Sequence, residues 1–132
     1  MNKVLEDLKD MKTMVIDVRF NGGGQDIVSL EILRRFTDKK RKVAFKKAVL
    51  GSNYTSRHPI YLKPAPKPYT KPVYILTSQQ TASAGDFFSL ASVSMENVKR
   101  IGSHTYGAIS DALEKNFPMV GIFLYRTRFM KI

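Results

Sequence analysis

Met14-Val-Ile-Asp-Val-Arg-Phe-Asn-Gly-Gly-Gly24 is the stretch on which the fold turns. Thr13 to Val18 is short, apolar and rich in β-formers, which predicts a buried strand. Asn21 to Gly24 ends it, because consecutive glycines permit positive φ and close backbone approach. Asp26 is placed to cap a helix carried by Ile27, Leu30, Ile32 and Leu33 to about Phe36. Strand, glycine loop and helix make half of a βαβ unit. About sixty residues further on, Tyr74 to Leu76 forms another apolar strand and leads into Thr81-Ala-Ser-Ala-Gly-Asp86. This small-residue turn opens a helix through Phe87, Phe88, Leu90 and Ala91 to about Met95. Val98 to Ile101 reads as a strand, Gly102 to Gly107 as a turn and Ala112 to Phe117 as a strand. Alternating strands and helices argue an α/β class.

The flanks are read the same way. Val4, Leu5, Leu8 and Met11 form an apolar stripe at helical spacing, so Asn2 to Lys12 is expected to be a short amphipathic helix. Arg41 to Leu50 is expected to be a strand. Gly51 to Lys71 holds Pro59, Pro64, Pro66 and Pro68 and is expected to be a long extended loop. There is no internal repeat and no low-complexity segment.

Composition narrows the chemistry. A chain of 132 residues with 43% hydrophobic content can bury a real core. It has no cysteine, so disulfides and thiolate metal sites are excluded. His58 and His104 are not spaced as a zinc motif, and neither a metal nor a cofactor is expected. No apolar run reaches the roughly 18 residues that span a membrane, and Met1 to Met14 has no signal-peptide core. The net charge of +11 suggests a polyanion partner. The run Lys39-Lys40-Arg41-Lys42, with Lys46 and Lys47, reads instead as a solvated loop entering an edge strand. No nucleic-acid motif accompanies it, so no nucleic-acid partner is expected.

Ser83 is the candidate nucleophile. Alanines flank it, and a helix starting there would aim N–H groups at developing negative charge. The N–H of Gly23 or Gly24, with that of Ala84, would then form an oxyanion hole for acyl transfer. The plainer alternative is a helix cap, with Thr81 or Ser83 as N-cap and Asp86 completing it near N3. A phosphate cradle is disfavoured, since neither GxxxxGK[ST] nor GxGxxG spacing is present. Asp17 and Arg19 read as residues that fix the loop, not as acid and base.

Three stretches together resemble the tail-specific (C-terminal processing) and tricorn-type serine peptidases. They are "IDVRFNGGG", "VYILTSQQTASAGDFFSLA" and "RIGSHTYGAISDALEKNFP", and the similarity covers about residues 4 to 118. The resemblance implies a ClpP/crotonase-like α/β core, here incomplete. It implies Ser83 as nucleophile, oxyanion donors at Gly23, Gly24 and Ala84, and a protein or peptide substrate. Self-association into a homo-oligomer is compatible with it. Such proteins usually work outside the cytoplasm. Two departures matter. The tail-specific branch carries a lysine base in the form F-G-K-G, and the matching position here is Ala108. The G-A-x-S-D wording is closer to the tricorn-like branch, whose histidine lies in an upstream segment. His104 is the local candidate for a substitute base, and His58 sits in the proline-rich stretch. A serine without a base is a weak nucleophile at neutral pH, so this chain alone is expected to turn over little peptide. The alternative reading is a non-catalytic crotonase-like binding or assembly module.

Residues 1–118 therefore read as a partial peptidase catalytic domain and residues 119–132 as an atypical tail. By the same resemblance the pattern after Pro118 is P-N-G-W and then a strand ending in S-N-E-x-Y; one coding sequence for N-G-W-Y-F-S-L-S-N-E-V-Y-E-N, which fits that pattern, read one base later spells Met119-Val-Gly-Ile-Phe-Leu-Tyr-Arg-Thr-Arg-Phe-Met-Lys131. The tail is expected to be a frameshift product. It would have lost the glutamate of that ending and gained Arg126, Arg128 and Lys131. Its apolar run Val120 to Tyr125 is expected to pair as a strand or to fray.

Overall fold

A computed structural model describes residues 2–50 and 52–109, and beyond them the strand backbones at 112–117, 121–126 and 128–130. In chain order the elements are α1 (Asn2–Asp7), β1 (Met14–Asp17), α2 (Asp26–Leu33), a 3-10 turn (Arg34–Phe36) and β2 (Arg41–Lys47). Next come β3 (Val49–Leu50), β4 (Asn53–Tyr54), β5 (His58–Leu62), β6 (Val73–Thr77) and α3 (Ala84–Ser92). The chain closes with β7 (Val98–Gly102), β8 (Ala112–Phe117), β9 (Gly121–Arg126) and β10 (Arg128–Met130).

The expected α/β architecture is present. Strands β1, β6 and β7 form a parallel sheet in that order, with Met14 opposite Val73 and Val73 opposite Val98. Parallel neighbours need crossover connections, and α3 supplies the one between β6 and β7. A second, antiparallel sheet has the order β10-β2-β5. One core joins the two sheets. Leu33 at the end of α2, Phe36 of the 3-10 turn, Val43 of β2, Leu62 of β5, Val73 and Ile75 of β6, and Phe88 and Ala91 of α3 are all buried in it. Phe36 meets Tyr69 edge to face with ring centroids 6.4 Å apart, a geometry that aromatic quadrupoles favour.

The structure corrects several expectations. The stripe at residues 4–11 is helical only to Asp7; a turn follows, with Met11 N–H donating to Leu8 O. Asp26 is the first helical residue of α2 and not its cap; Gln25 holds that position and no side chain caps it. The proline-rich stretch is not one loop, since it contains β4 and β5. Pro59 is tolerated because, among the described residues, β5 pairs with β2 alone and its other edge carries no ladder bonds. The basic run does not feed an edge strand: β2 lies between β5 and β10. Its cations are used locally. Lys40 stands 4.3 Å from the ring centre of Tyr61 and Lys47 3.7 Å from that of Tyr54. Arg41 donates to Thr37 Oγ1 at 2.8 Å and to Ser94 O at 2.6 Å. In the tail, the strand expectation is met by backbone pairing of β9 with β8, Phe117 opposite Gly121. Met119 and Val120 lie outside the described residues.

Candidate active site

The parallel register decides where the motifs meet. Asp17 is opposite Leu76, and Thr77 opposite Gly102, so β1, β6 and β7 end at one edge of the sheet. The glycine loop, the Thr81–Asp86 turn and the turn after Gly102 all leave from that edge. Crevices outside the carboxyl ends of parallel strands are where α/β proteins place their sites.

Two polar side chains bind the first two loops together. Thr81, fully buried, donates from Oγ1 to Val18 O at 2.8 Å and accepts at the same atom from Ser78 N–H at 3.1 Å. Asn21 accepts Ala82 N–H on its backbone oxygen at 2.9 Å and Gly23 N–H on Oδ1 at 2.9 Å. The second contact is an Asx turn, which bends the glycine loop back toward the serine. Gly85 lets the loops close: a Cβ there would lie 3.0 Å from Asn21 O and 3.0 Å from Thr81 Cγ2. Ser78 Oγ also donates to Arg19 O.

Ser83 sits at the helix entrance with φ 55° and ψ −117°, and is the one non-glycine residue of positive φ among those described. Such backbone costs of order 1–3 kcal/mol and persists only where its surroundings enforce it. Gly23 is pressed against it. A Cβ on Gly23, whose φ is 134°, would lie 2.8 Å from Ser83 Cβ and 3.2 Å from Ser83 Oγ. The glycine loop and the serine are thus brought together as expected.

The candidate oxyanion donors separate. Gly23 N–H is already committed to Asn21 Oδ1. The N–H groups of Gly24 and Ala84 make no hydrogen bond with any described residue.

Asp86, 1% exposed, does more than cap. Its Oδ2 accepts Ser83 N–H at 2.8 Å and Ala108 N–H at 2.9 Å, while Oδ1 accepts Gly107 N–H at 2.8 Å. One carboxylate therefore ties the serine to the third loop. Tyr106 N–H strengthens that tie by donating to Thr81 O at 2.8 Å. His104 is not joined to the serine. Its Nε2 stands 3.4 Å from Gln79 Nε2 and its Nδ1 3.2 Å from Thr105 O. His58 lies on β5, in the other sheet. Asp17 and Arg19 pair at 2.7 Å, and Arg19 N–H also donates to Asp17 Oδ1. These bonds, the side-chain ones first, hold the Asp17 carboxyl below the ordinary carboxylate value. Among the described residues no cluster of three or more histidine, aspartate or glutamate side chains is placed to hold a metal.

Reading by residue type missed Asn21 and the reach of Asp86. The first was open to inference, because an asparagine before glycines commonly bonds two residues ahead. The second needed the third loop in place.

A parallel α/β sheet with a strained serine facing a glycine turn at its carboxyl edge defines the class of site. Comparison with known proteins gives the family: a model described as peptidase family S41 matches residues 1–128, and the chain belongs to that family. Solved structures share the fold. Mature CPAF complexed with lactacystin superposes with TM-score 0.84 over 98% of this chain and 38% of that one, at 15% identity. The photosystem II D1 C-terminal processing protease gives TM-score 0.74 over 96% and 32%, at 16% identity. Tricorn protease gives 0.56 over 86% and 10%, at 23% identity. The chain spans less than half the length of these structures.

Proposed function

We propose that this chain carries the nucleophile and oxyanion elements of a serine-type peptidase, with Ser83 as the acylated residue. The observation that carries the reading is the approach of Gly23 to a serine held at positive φ. Ser83 Oγ attacks the carbonyl carbon of a peptide bond, and its proton passes through solvent water to the leaving amine. The carbonyl oxygen becomes an oxyanion, received by the unengaged N–H groups of Gly24 and Ala84. Collapse expels the amine, which takes a proton, and water then hydrolyses the ester and frees Ser83. Asp86 serves by holding Ser83 N–H and the turn at Gly107 and Ala108 in one frame.

The proton acceptor is the weak element. No described histidine or lysine is hydrogen-bonded to Ser83, and Asp86 meets its backbone N–H. We therefore assign this polypeptide slow acylation and little turnover. The same observation favours the second reading, a binding or assembly module on the same fold. A fluorophosphonate probe separates them. Labelling that maps to Ser83 and is lost in Ser83→Ala supports the nucleophile. A folded sample that stays unlabelled supports the binding module.

A further inference from the structure

Between Lys39 and Gly85 the chain carries ten lysines and arginines and no aspartate or glutamate. The whole segment that builds β2 to β6 is therefore free of acids. Strand register sorts its cations onto faces, because residues paired on neighbouring strands share one side of a sheet. Arg41 opposite Leu62 and Ala44 opposite Ile60 turn toward the core, where Ala44 and Leu62 are buried. Lys42 opposite Tyr61 and Phe45 opposite Pro59 turn the other way, the irregularity between Lys42 and Ala44 resetting the alternation. Lys47 lies two residues beyond Phe45 and shares that outer face.

Rings hold the ammonium groups in place there. Lys40 stands over Tyr61, Lys42 over Phe45 at 4.8 Å, and Lys47 over Tyr54. A ring fixes a cation without neutralising it. Lys39 and Arg41, at the start of the strand, pair with Glu96. No described carboxylate pairs with Lys40, Lys42 or Lys47. The far end of β2 approaches the glycine loop. Burial raises the Asp26 carboxyl and the charge of Lys46 draws it back, so Lys46 is within electrostatic reach of a residue two positions beyond Gly24.

We propose that the outer face of β2 and β5 is an exosite that holds an acidic, extended stretch of the polypeptide presented to Ser83. The identity of that polypeptide as substrate rests on the peptidase reading. Charge complementarity gives the face its occupant. An extended chain repeats its side chains on one side at every second residue, the interval at which Lys40 and Lys42 follow each other. Glutamates at alternate positions thus meet the lysines in turn. A nucleic acid fits less well, since single strands stack their bases on open rings and these rings carry lysines.

The test uses the full chain and a dye-labelled peptide of alternating glutamate and serine, with glutamine replacing glutamate in its counterpart. By fluorescence anisotropy at about 0.01 M salt, the glutamate peptide is expected to bind roughly tenfold more tightly. Most of that preference should vanish at about 0.3 M salt. Combining Lys40→Gln, Lys42→Gln and Lys47→Gln should remove it, whereas Lys→Arg at the same three positions keeps charge and ring contact and should retain it. The control combines Lys3→Gln, Lys12→Gln and Lys99→Gln, exposed lysines elsewhere with the same loss of charge. An equal loss in the control overturns the exosite, because net charge alone then explains the binding. Tighter binding of single-stranded oligo-dT of equal charge overturns the polypeptide occupant. Fluorophosphonate labelling separates the two readings. Labelled Ser83 with no peptide preference overturns the exosite and leaves the nucleophile standing. A glutamate preference with Ser83 unlabelled keeps the acidic-peptide face and overturns its role in a peptidase.

Discussion

An alanine at position 23 would put its Cβ 2.8 Å from Ser83 Cβ, closer than van der Waals contact allows, in backbone of φ 134° that only glycine adopts readily. Gly23→Ala should lower unfolding stability by about 1–3 kcal/mol and abolish fluorophosphonate labelling by pushing the serine aside. Urea unfolding and labelling of the same sample check both; unchanged values would mean the two loops are not in contact. Position 108 makes the opposite point. Ala108 hangs from Asp86, whose other bonds hold Ser83, and the sequence resemblance sets it where the tail-specific branch is expected to carry its lysine base. Ala108→Lys should raise the labelling rate at Ser83 about 100-fold, the lower end of what a positioned base contributes. An unchanged rate would mean that the turn does not aim residue 108 at the hydroxyl. Asp17 gives a pH signature. Its folded pKa is depressed by Arg19, so its contribution is complete above the ordinary carboxylate value and is lost as pH falls through the lowered folded value. Asp17→Asn should lower the unfolding midpoint slightly at neutral pH, where the contribution is complete, and flatten by the same small amount the fall in midpoint as pH drops below the ordinary carboxylate value.

Among elements, the entrance to α3 depends most on one side chain. Removing the buried Asp86 carboxylate takes the acceptor from the N–H groups of Ser83, Gly107 and Ala108, of which Gly107 is exposed and the other two half-buried. Asp86→Ala should cost about 1–3 kcal/mol, since water can replace the acceptor at the exposed donor and only in part at the half-buried two. Asp86→Asn should cost less, because the amide keeps one acceptor oxygen. Thermal unfolding of the two variants tests that order; equal losses would mean that the carboxylate contributes packing alone. The same element shows what was legible in advance. Its strand–turn–helix pattern, its serine and its Asp86 could be read from local spacing, because capping and helical periodicity are local rules. That Asp86 reaches residues 107 and 108 could not, since the contact depends on β6 and β7 lying in register. β5 escaped notice for a related reason. Proline argues against a central strand, and only the pairing order reveals that Pro59 lies on an edge. The basic β2 was read as an edge strand because its lysines suggested solvent, whereas β10 pairs along it from Phe45 to Lys47.

For the whole molecule, the three parallel strand ends explain why motifs far apart in sequence make one site. The order of the motifs was legible; their shared edge is a property of the sheet. The ending poses a different question. If residues 119–131 come from a shifted frame, their codons with one base restored in front should spell the family's N-G-W and S-N-E ending. Reading the coding strand decides this, and synonymous codons that fail to do so end the idea. Charge is the remaining property of the whole. With 22 lysines and arginines against 11 aspartates and glutamates, compactness brings like charges together. Opposing that are exposed ion pairs such as Lys39–Glu96 at 3.3 Å and Lys9–Glu6 at 3.0 Å, each of which contributes little in water. Added salt weakens both effects, and the sign of the response says which dominates. Raising salt from about 0.01 M to about 0.3 M shortens the screening length from about 30 Å to under about 10 Å. Repulsion among many spaced cations is long-ranged and is screened first, whereas a pair in contact at 3.3 Å survives better. The unfolding midpoint should therefore rise with salt by roughly 4 °C for each kcal/mol of repulsion removed. A fall would mean that the Lys39–Glu96–Arg41 cluster and its like outweigh the excess positive charge.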